Sequence, residues 1–274
     1  MVFQDPEAFL SEVIEIAGLG AAQLMPHWRA LEPDQISEKA RNDLVSVADL
    51  ASEEAIIDAI RKRFPEHQIL SEEAGWSSPA VSGPTWIVDP LDGTTNFVHG
   101  IPQFAVSIGV AEAGTVEFGV ILDPVKNDVF SAARGRGAWW NGRRCHISPR
   151  AGLEGALLAT GFPFKAHRLL DPYLAIFRDV FLKCKAVRRP GAAALDLAYT
   201  AAGLFDGFFE FQLSAWDVAA GSLLVEEAGG TITDMNGDSE YLENGDVICG
   251  PPGVHRALLD VVDRHREKWH DISP

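Results

Sequence analysis

Cysteine is scarce. The 274-residue chain has three, Cys145, Cys184 and Cys249, which lie far apart, are odd in number and form no CxxC pair. This argues against a disulfide framework and a cysteine-ligated zinc site, and the expectation is three buried thiols in a reducing compartment. Positive charge is also short. Twenty-three lysines and arginines face 39 aspartates and glutamates, a formal net charge of −16. A polyphosphate backbone is therefore repelled over most of the surface, and no basic stripe interleaved with aromatics is present, so nucleic acid is not an expected partner. No stretch approaches a charge-free membrane span, and the opening "MVFQDPEAFLSEVIEIAGLG" is acidic and amphipathic without a basic n-region. The expectation is a cytoplasmic protein with no membrane partner. Repeats, low-complexity tracts and flexible linkers are missing too, which predicts one rigid unit.

What is present is apolar material for a large core, 47% of the residues. Phe9, Val13, Ile16 and Ala17 share one face of an opening helix, with Gly18 and Gly20 read as points of close helix packing. "DLVSVADLASEEAIIDAIRKRF" reads as a short extended piece followed by a helix, with Pro65 just past its end, and "HQIL" as a strand running into Ser71, Glu72 and Glu73. From 101 to 148, β-rich runs separated by Ala-Gly, Lys-Asn-Asp and Asn-Gly signals predict an antiparallel meander, in which Trp139 and Trp140 serve sheet packing. Beyond 150, strands and helices alternate. The prediction is an α+β half over residues 1–150 joined to an α/β half over 151–274.

The chemistry is concentrated in "WIVDPLDGTTNF", residues 86–97. With "TWIV" as a central strand, Asp89 stands at its carboxyl end, where open α/β sheets place ligands. Pro90 cannot donate to the ladder and is expected to help end the pairing, and a tight turn is expected to project Asp92 back towards Asp89. The Leu91 carbonyl is a candidate to face the same space, and Gly93 and Thr94 are expected to open a helix whose unpaired N–H groups suit an anion. Crowded carboxylates with no lysine or arginine in the motif call for hard divalent cations, and Mg²⁺ suits carboxylates, a carbonyl and substrate phosphate better than zinc does. Glu72 at a strand end and Asp217 at a helix start are further candidate ligands. Asp49, closing "DLVSVAD", has a purely structural alternative as a helix N-cap.

"SEEAG" with Glu72, "WIVDPLDGTTNFVHG" and "AWDVAAGSLLVEEAGG" resemble the signatures of the inositol monophosphatase family in order and approximate separation, and the similarity extends through "DLVSVAD" and "GAAALDLAYTAAGLFDGFFE". The resemblance implies a layered αβαβα sandwich shared with fructose-1,6-bisphosphatase, Mg²⁺ dependence, lithium sensitivity and a homodimer. By motif it also implies one Mg²⁺ on Glu72, Asp89 and the Leu91 carbonyl, a second on Asp89, Asp92 and Asp217, and a looser third near Glu72. Thr94, oriented by Asp49, would position and help deprotonate the attacking water. Gly93 and Thr94 would hold the phosphate, and Ala193 and Glu210 would touch the hydroxylated part of the substrate. His99, which follows the motif, is read as a surface or structural residue rather than a base.

Departures from the family pattern bear on substrate. Ser71 precedes the Glu pair where glycine is common, Ala192 replaces a Ser or Thr, and "FQLSAWD" is atypical. The last two fall where substrate would sit. The leading expectation is a Mg²⁺-dependent phosphomonoesterase for a small polyol or sugar phosphate, inositol monophosphate first. Fructose bisphosphate, histidinol phosphate and NADP stand as alternatives. Some bacterial relatives also serve as regulatory binding proteins of the transcription machinery or RNA, a second class of reading. A carbohydrate-binding protein with a structural metal is opposed by Thr94 and Asp49, which such a site would not need. Glu210 has a plainer reading as an exposed strand-end acid, or as an ion-pair partner of Arg188 or Arg189.

Overall fold

Asp5 accepts the amide N–H groups of Glu7 and Ala8, both at 3.1 Å, and Pro6 occupies the first helical position, so the chain's first helix, α1 (Pro6–Leu24), is capped by its own sequence. The computed structural model describes residues 3, 5–40, 43–76, 83–164 and 166–269. A hairpin of β1 (Ile36–Ala40) and β2 (Asp43–Ser46) leads into α2 (Val47–Arg63). There the sequence expectation needs correcting. Ser46, not Asp49, is the N-cap, and Asp49 lies three residues inside the helix, where its carboxylate closes a capping box back onto Ser46.

Next come β3 (Gln68–Ser71), β4 (Gly75–Trp76), β5 (Thr85–Asp92), the short α3 (Thr94–Val98), and a meander of β6 (Ala105–Glu112), β7 (Thr115–Asp123), β8 (Asp128–Ala133), β9 (Gly137–Trp140) and β10 (Arg143–Arg144). These strands form one sheet in the order β10-β9-β8-β7-β6-β5-β3-β4, antiparallel except for the β3/β5 pair. The remaining chain contributes β11 (Leu157–Thr160), α4 (Leu170–Phe181), β12 (Ala186–Arg188), α5 (Ala193–Ala201), β13 (Gly207–Glu210), α6 (Ala215–Glu227), β14 (Thr231–Thr233), α7 (Tyr241–Asn244), β15 (Val247–Gly250) and α8 (Pro252–Asp263). Its strands form a second, mixed sheet in the order β12-β11-β13-β15-β14.

The layers follow from which faces are apolar. α1 and α2 cover the outer face of the first sheet through Val13, Ile16, Ile56, Trp86 and Val88. α5 and α6 lie between the sheets, where Leu197, Leu223 and Leu224 join Ile87 and Ile121 of the first to Phe208 and Val247 of the second. α4 and α8 cover the far face of the second sheet through Tyr173, Ile176, Leu258 and Phe209. The result is an αβαβα sandwich, the fold class expected. Close approach of the middle layer is written in small residues: a Cβ at Gly109 would stand 2.7 Å from Ala219 Cβ, and one at Gly119 2.7 Å from the Ala220 carbonyl oxygen.

Smaller expectations divide. Gly20 does pack against α2, with Ile56 and Ser52 where its Cβ would be, but Gly18 faces open space. Cys145 and Cys249 are buried, whereas Cys184 is only half-buried, and all three are free thiols. Trp140 stacks on Phe130 within the sheet, as its place beside the turn suggests. Among the described residues no helix is long and apolar enough to cross a membrane.

Candidate active site

The central fact of the site is a phase change in β5. Along a regular strand, residues three apart point to opposite faces. Asp89 pairs with Ser107 and Asp92 with Ala105, so three steps on β5 oppose two on β6. The extra residue is a β-bulge, and it carries Pro90, whose missing N–H a ladder position could not accommodate. Burial follows the shift: Trp86, Val88 and then Leu91 belong to the outer core under α1 and α2, while Ile87 faces the middle layer. Asp89 and Asp92 consequently share one side. The expected tight turn and end of pairing are thus replaced by a bulge, with strand pairing resuming at Asp92. Leu91 N–H donates to Asp89 Oδ1 at 2.9 Å, which holds the bulge from within.

Asp217 arrives from the middle layer. It lies in the first turn of α6, where it closes a capping box with Ser214 by accepting that residue's N–H at 2.7 Å. The close seating of Ala219 and Ala220 on the glycines of β6 and β7 brings this helix start down to the sheet. One carboxylate oxygen from each of Asp89, Asp92 and Asp217 lies within 4.8 Å of the others. Burial, then the charges of Glu72, Asp92 and Asp217, push the Asp89 carboxyl well above the usual carboxylate range. Burial and Asp217 do the same to Asp92, against the N–H of Ala194, which donates to Asp92 Oδ2 at 2.8 Å.

Asp49 and Thr94, 45 residues apart, meet here. Thr94 Oγ1 stands 3.0 Å from Asp49 Oδ1 and 3.1 Å from the Leu91 carbonyl, so its single proton has two possible acceptors. Asp49 Oδ2 accepts from Ser46 N and Oγ at 2.9 and 2.6 Å. Burial raises the Asp49 pKa even so, against these hydrogen bonds. Gly93, at φ +90°, is the N-cap of α3 and lets the backbone turn between Asp92 and Thr94. His99 is exposed, with Nδ1 at 2.8 Å from the Thr95 carbonyl, and is not among the residues lining the cleft.

Glu72 lines the same cleft but stands outside the three-acid group. Its Oε1 receives Lys39 Nζ at 3.0 Å, and Lys39 also reaches Glu73 at 2.7 Å. Burial works against the Lys39 ammonium, yet the two carboxylates hold its pKa above the ordinary value. Glu73 is pushed up to about 7, by burial first. Sequence reasoning missed Lys39 because only the β1/β2 hairpin carries it across 33 residues to Glu72.

The cleft measures about 330 Å³, towards the small end of the roughly 300–1,000 Å³ of small-molecule sites. Leu91, Gly93, Ala193 and Glu210 all line it. Glu210 is buried, 7% exposed, and forms no ion pair with Arg188 or Arg189 within 4.0 Å, which overturns both its plainer readings. Burial pushes its carboxyl up to about 8, against the Arg189 charge. Phe162, Phe164 and Arg189 also line the cleft and had no signal in a motif.

The residues present fit Mg²⁺. The donors are oxygens throughout, three carboxylates converge, and Asp89 and Asp92 are 1% and 7% exposed. Buried like charges at this spacing are stable only when protonated or neutralised by a cation.

Such a sandwich, with acids from a bulged strand and a middle-layer helix meeting in one cleft, defines a layered α/β protein whose centre can hold metal ions. A model of the Inositol monophosphatase family matches residues 5–267, and the chain belongs to that family. It is 48% identical over 239 residues to Nus factor SuhB of Pseudomonas aeruginosa, covering 86% of this chain and 88% of that one. Nus factor SuhB of Escherichia coli K12 is 48% identical over 229 residues, 83% and 86% of the two chains. Among solved structures, extragenic suppressor protein suhB of Bartonella henselae superposes with a TM-score of 0.90 at 39% identity, covering 94% of this chain and 99% of that one. An inositol monophosphatase of Thermotoga maritima gives 0.86 at 32% identity, covering 95% and 99%. Relatives named Nus factor do not support the exclusion of nucleic-acid partners drawn from net charge.

Proposed function

We propose that this chain is a Mg²⁺-dependent phosphomonoesterase for a small polyol or sugar phosphate, with inositol monophosphate the first candidate. The observation that carries the reading is the meeting of Asp89, Asp92 and Asp217 within 4.8 Å, with the Thr94 hydroxyl on Asp49 at 3.0 Å in the same cleft. Glu72, Asp89 and the Leu91 carbonyl would hold one ion, Asp89, Asp92 and Asp217 a second, and the surroundings of Glu72 a third. Bound Mg²⁺ supplies charge neutralisation and Lewis acidity for an in-line displacement at phosphorus. Thr94, when it donates to Asp49, turns its lone pairs to the cleft, where they orient the attacking water and draw on its proton. The N–H groups of Gly93 and Thr94 bind phosphate oxygens, and Ala193 and Glu210 contact the hydroxylated end. Residues 1–150 contribute most ligands and residues 151–274 contribute Asp217 and the substrate side. A lithium-sensitive, cytoplasmic homodimer completes the reading.

Inositol 1-phosphate, fructose 1,6-bisphosphate, histidinol phosphate and NADP, assayed for phosphate release with Mg²⁺ and with excess EDTA, test this. Release from at least one of them that vanishes with EDTA and returns with Mg²⁺ supports it, and turnover in EDTA contradicts it. A regulatory binding role is the second reading, favoured by 48% identity to proteins named Nus factor SuhB. It predicts a folded chain that releases phosphate from none of these compounds.

A further inference from the structure

α2 faces the site with more than Asp49. Ser52 and Glu53, one turn further along, share its buried side at 0% and 6% exposure. Ser52 Oγ donates to the Pro90 carbonyl at 2.9 Å, on the bulge between Asp89 and Asp92. Glu53 reaches the segment that carries Glu72. β3 and β4 pair as a hairpin, with Ser71 opposite Gly75, so Glu72, Glu73 and Ala74 form the turn between them. A single oxygen of Glu53, Oε1, accepts from Ser71 Oγ at 2.5 Å and from the N–H groups of Glu73 and Ala74 at 3.1 Å each. Glu72 thus stands between residues gripped by one carboxylate, and its own N–H goes to the Val88 carbonyl at 3.1 Å. A backbone N–H can only donate, so without Glu53 two donors of this tight turn lose their acceptor and the turn must rearrange to reach another. Rearranging it moves Glu72. The Lys39 ammonium grips the side-chain ends of Glu72 and Glu73, which leaves the backbone of the turn to Glu53. Ser71, standing where glycine is common in the family, adds a side-chain donor to that grip.

We propose that Glu53 is a positioning residue for Glu72, acting through the turn on either side of it and not by touching metal ion or substrate. Glu53 is not among the residues lining the cleft. The inference rests on Glu72 being a Mg²⁺ ligand, as in the phosphatase reading. Groups that orient a metal ligand are worth roughly 10- to 100-fold in metal affinity.

The test is calorimetric titration with Mg²⁺ of the full chain and of its Glu53→Ala, Glu53→Asp and Glu53→Gln variants, with a melt of each in EDTA. The expected result is Mg²⁺ binding weakened roughly 10- to 100-fold in Glu53→Ala. Glu53→Asp keeps the charge but draws the oxygen back from the turn, so it should also lose affinity, and it serves if the alanine variant does not fold. Glu53→Gln keeps one acceptor oxygen for the three donors and should bind Mg²⁺ as the wild type does. Wild-type affinity in a folded Glu53→Ala or Glu53→Asp protein, with only the melt lowered, makes Glu53 a purely structural residue and overturns the proposal. A loss in Glu53→Gln equal to that in Glu53→Ala overturns it too, because charge and not the held turn would then be responsible. If the wild type binds Mg²⁺ but releases phosphate from none of the four compounds, the phosphatase reading fails and the same titrations still decide the Glu53 assignment. A wild type that binds no Mg²⁺ overturns both.

Discussion

Replacing Asp49 with asparagine separates its two jobs. Both carboxylate oxygens accept hydrogen bonds, Oδ2 from Ser46 N and Oγ at 2.9 and 2.6 Å, Oδ1 from Thr94 Oγ1 at 3.0 Å. An amide has one acceptor oxygen, and the Ser46 N–H can only donate, so the oxygen must stay on the Ser46 side and the NH₂ must face Thr94. Thr94 then accepts from the amide and donates to the Leu91 carbonyl, already 3.1 Å away. The capping box survives. Its lost charge costs about 0.3–1 kcal/mol at the helix start, partly offset because burial already disfavours that charge. A change of about 1 kcal/mol lowers Tm by roughly 2–4 °C. Catalysis fares differently, because the Thr94 proton is committed to a neutral carbonyl and no carboxylate stands behind the hydroxyl. The expected loss in kcat is roughly 10²–10⁴-fold, the range for a general-base contribution. Steady-state phosphate release and a thermal melt on the same preparation check both numbers. A folded Asp49→Asn protein within tenfold of wild-type kcat refutes the relay and leaves Asp49 a capping residue only.

Three further outcomes are expected. Asp217→Asn keeps the acceptor for the Ser214 N–H but removes one of three converging charges, so half-maximal activity should need much more Mg²⁺ while the melt barely moves; normal activity at limiting Mg²⁺ contradicts the ligand assignment. Gly119→Ala drives a Cβ to 2.7 Å from the Ala220 carbonyl oxygen and should cost about 1–3 kcal/mol by overpacking, read as a lower Tm with a weakened Mg²⁺ response; an unchanged melt would show that α6 can move away freely. The third concerns pH. Glu210 has its pKa raised from 4.5 to about 8 in the fold, so between those values the folded chain binds a proton that the unfolded chain has lost. Stability of the metal-free protein should therefore fall as pH rises through that window and level off above it, and the raised Asp89 and Asp92 act in the same direction. Melts in EDTA from pH 5 to 9, repeated with Mg²⁺, check this, with a flat or rising metal-free profile as the contrary result.

Much of this arrangement is legible in one dimension. The apolar run before Asp89, the capping pattern around Asp217 and the turn signals of the meander each act through neighbours within a few residues, and the elements they predict are present. What escapes is what depends on partners far along the chain. The bulge at Pro90 is defined by its count against β6, so the local string reads equally well as a turn. Ser46 and Asp49 are both good capping residues, and only the helix start chooses between them. Glu210 looks like an ordinary strand-end acid until Gly161, on the neighbouring β-strand's exit, is seen to leave the room that its buried carboxylate fills. Lys39 and Arg189 carry no motif, and their places in or beside the cleft come from the hairpin and from β12.

The one-residue phase change in β5 separates the side on which a residue stands from the reach between the two aspartates. Deleting Pro90 would leave two steps against the two of β6, and regular alternation would keep Leu91 in the apolar layer with Trp86 and Val88 and Asp92 on the side of Asp89. What would change is the length of chain between the acids, shorter by one residue. The apolar layer is thus indifferent to the extra residue, and the spacing of the two aspartates answers to what they bind.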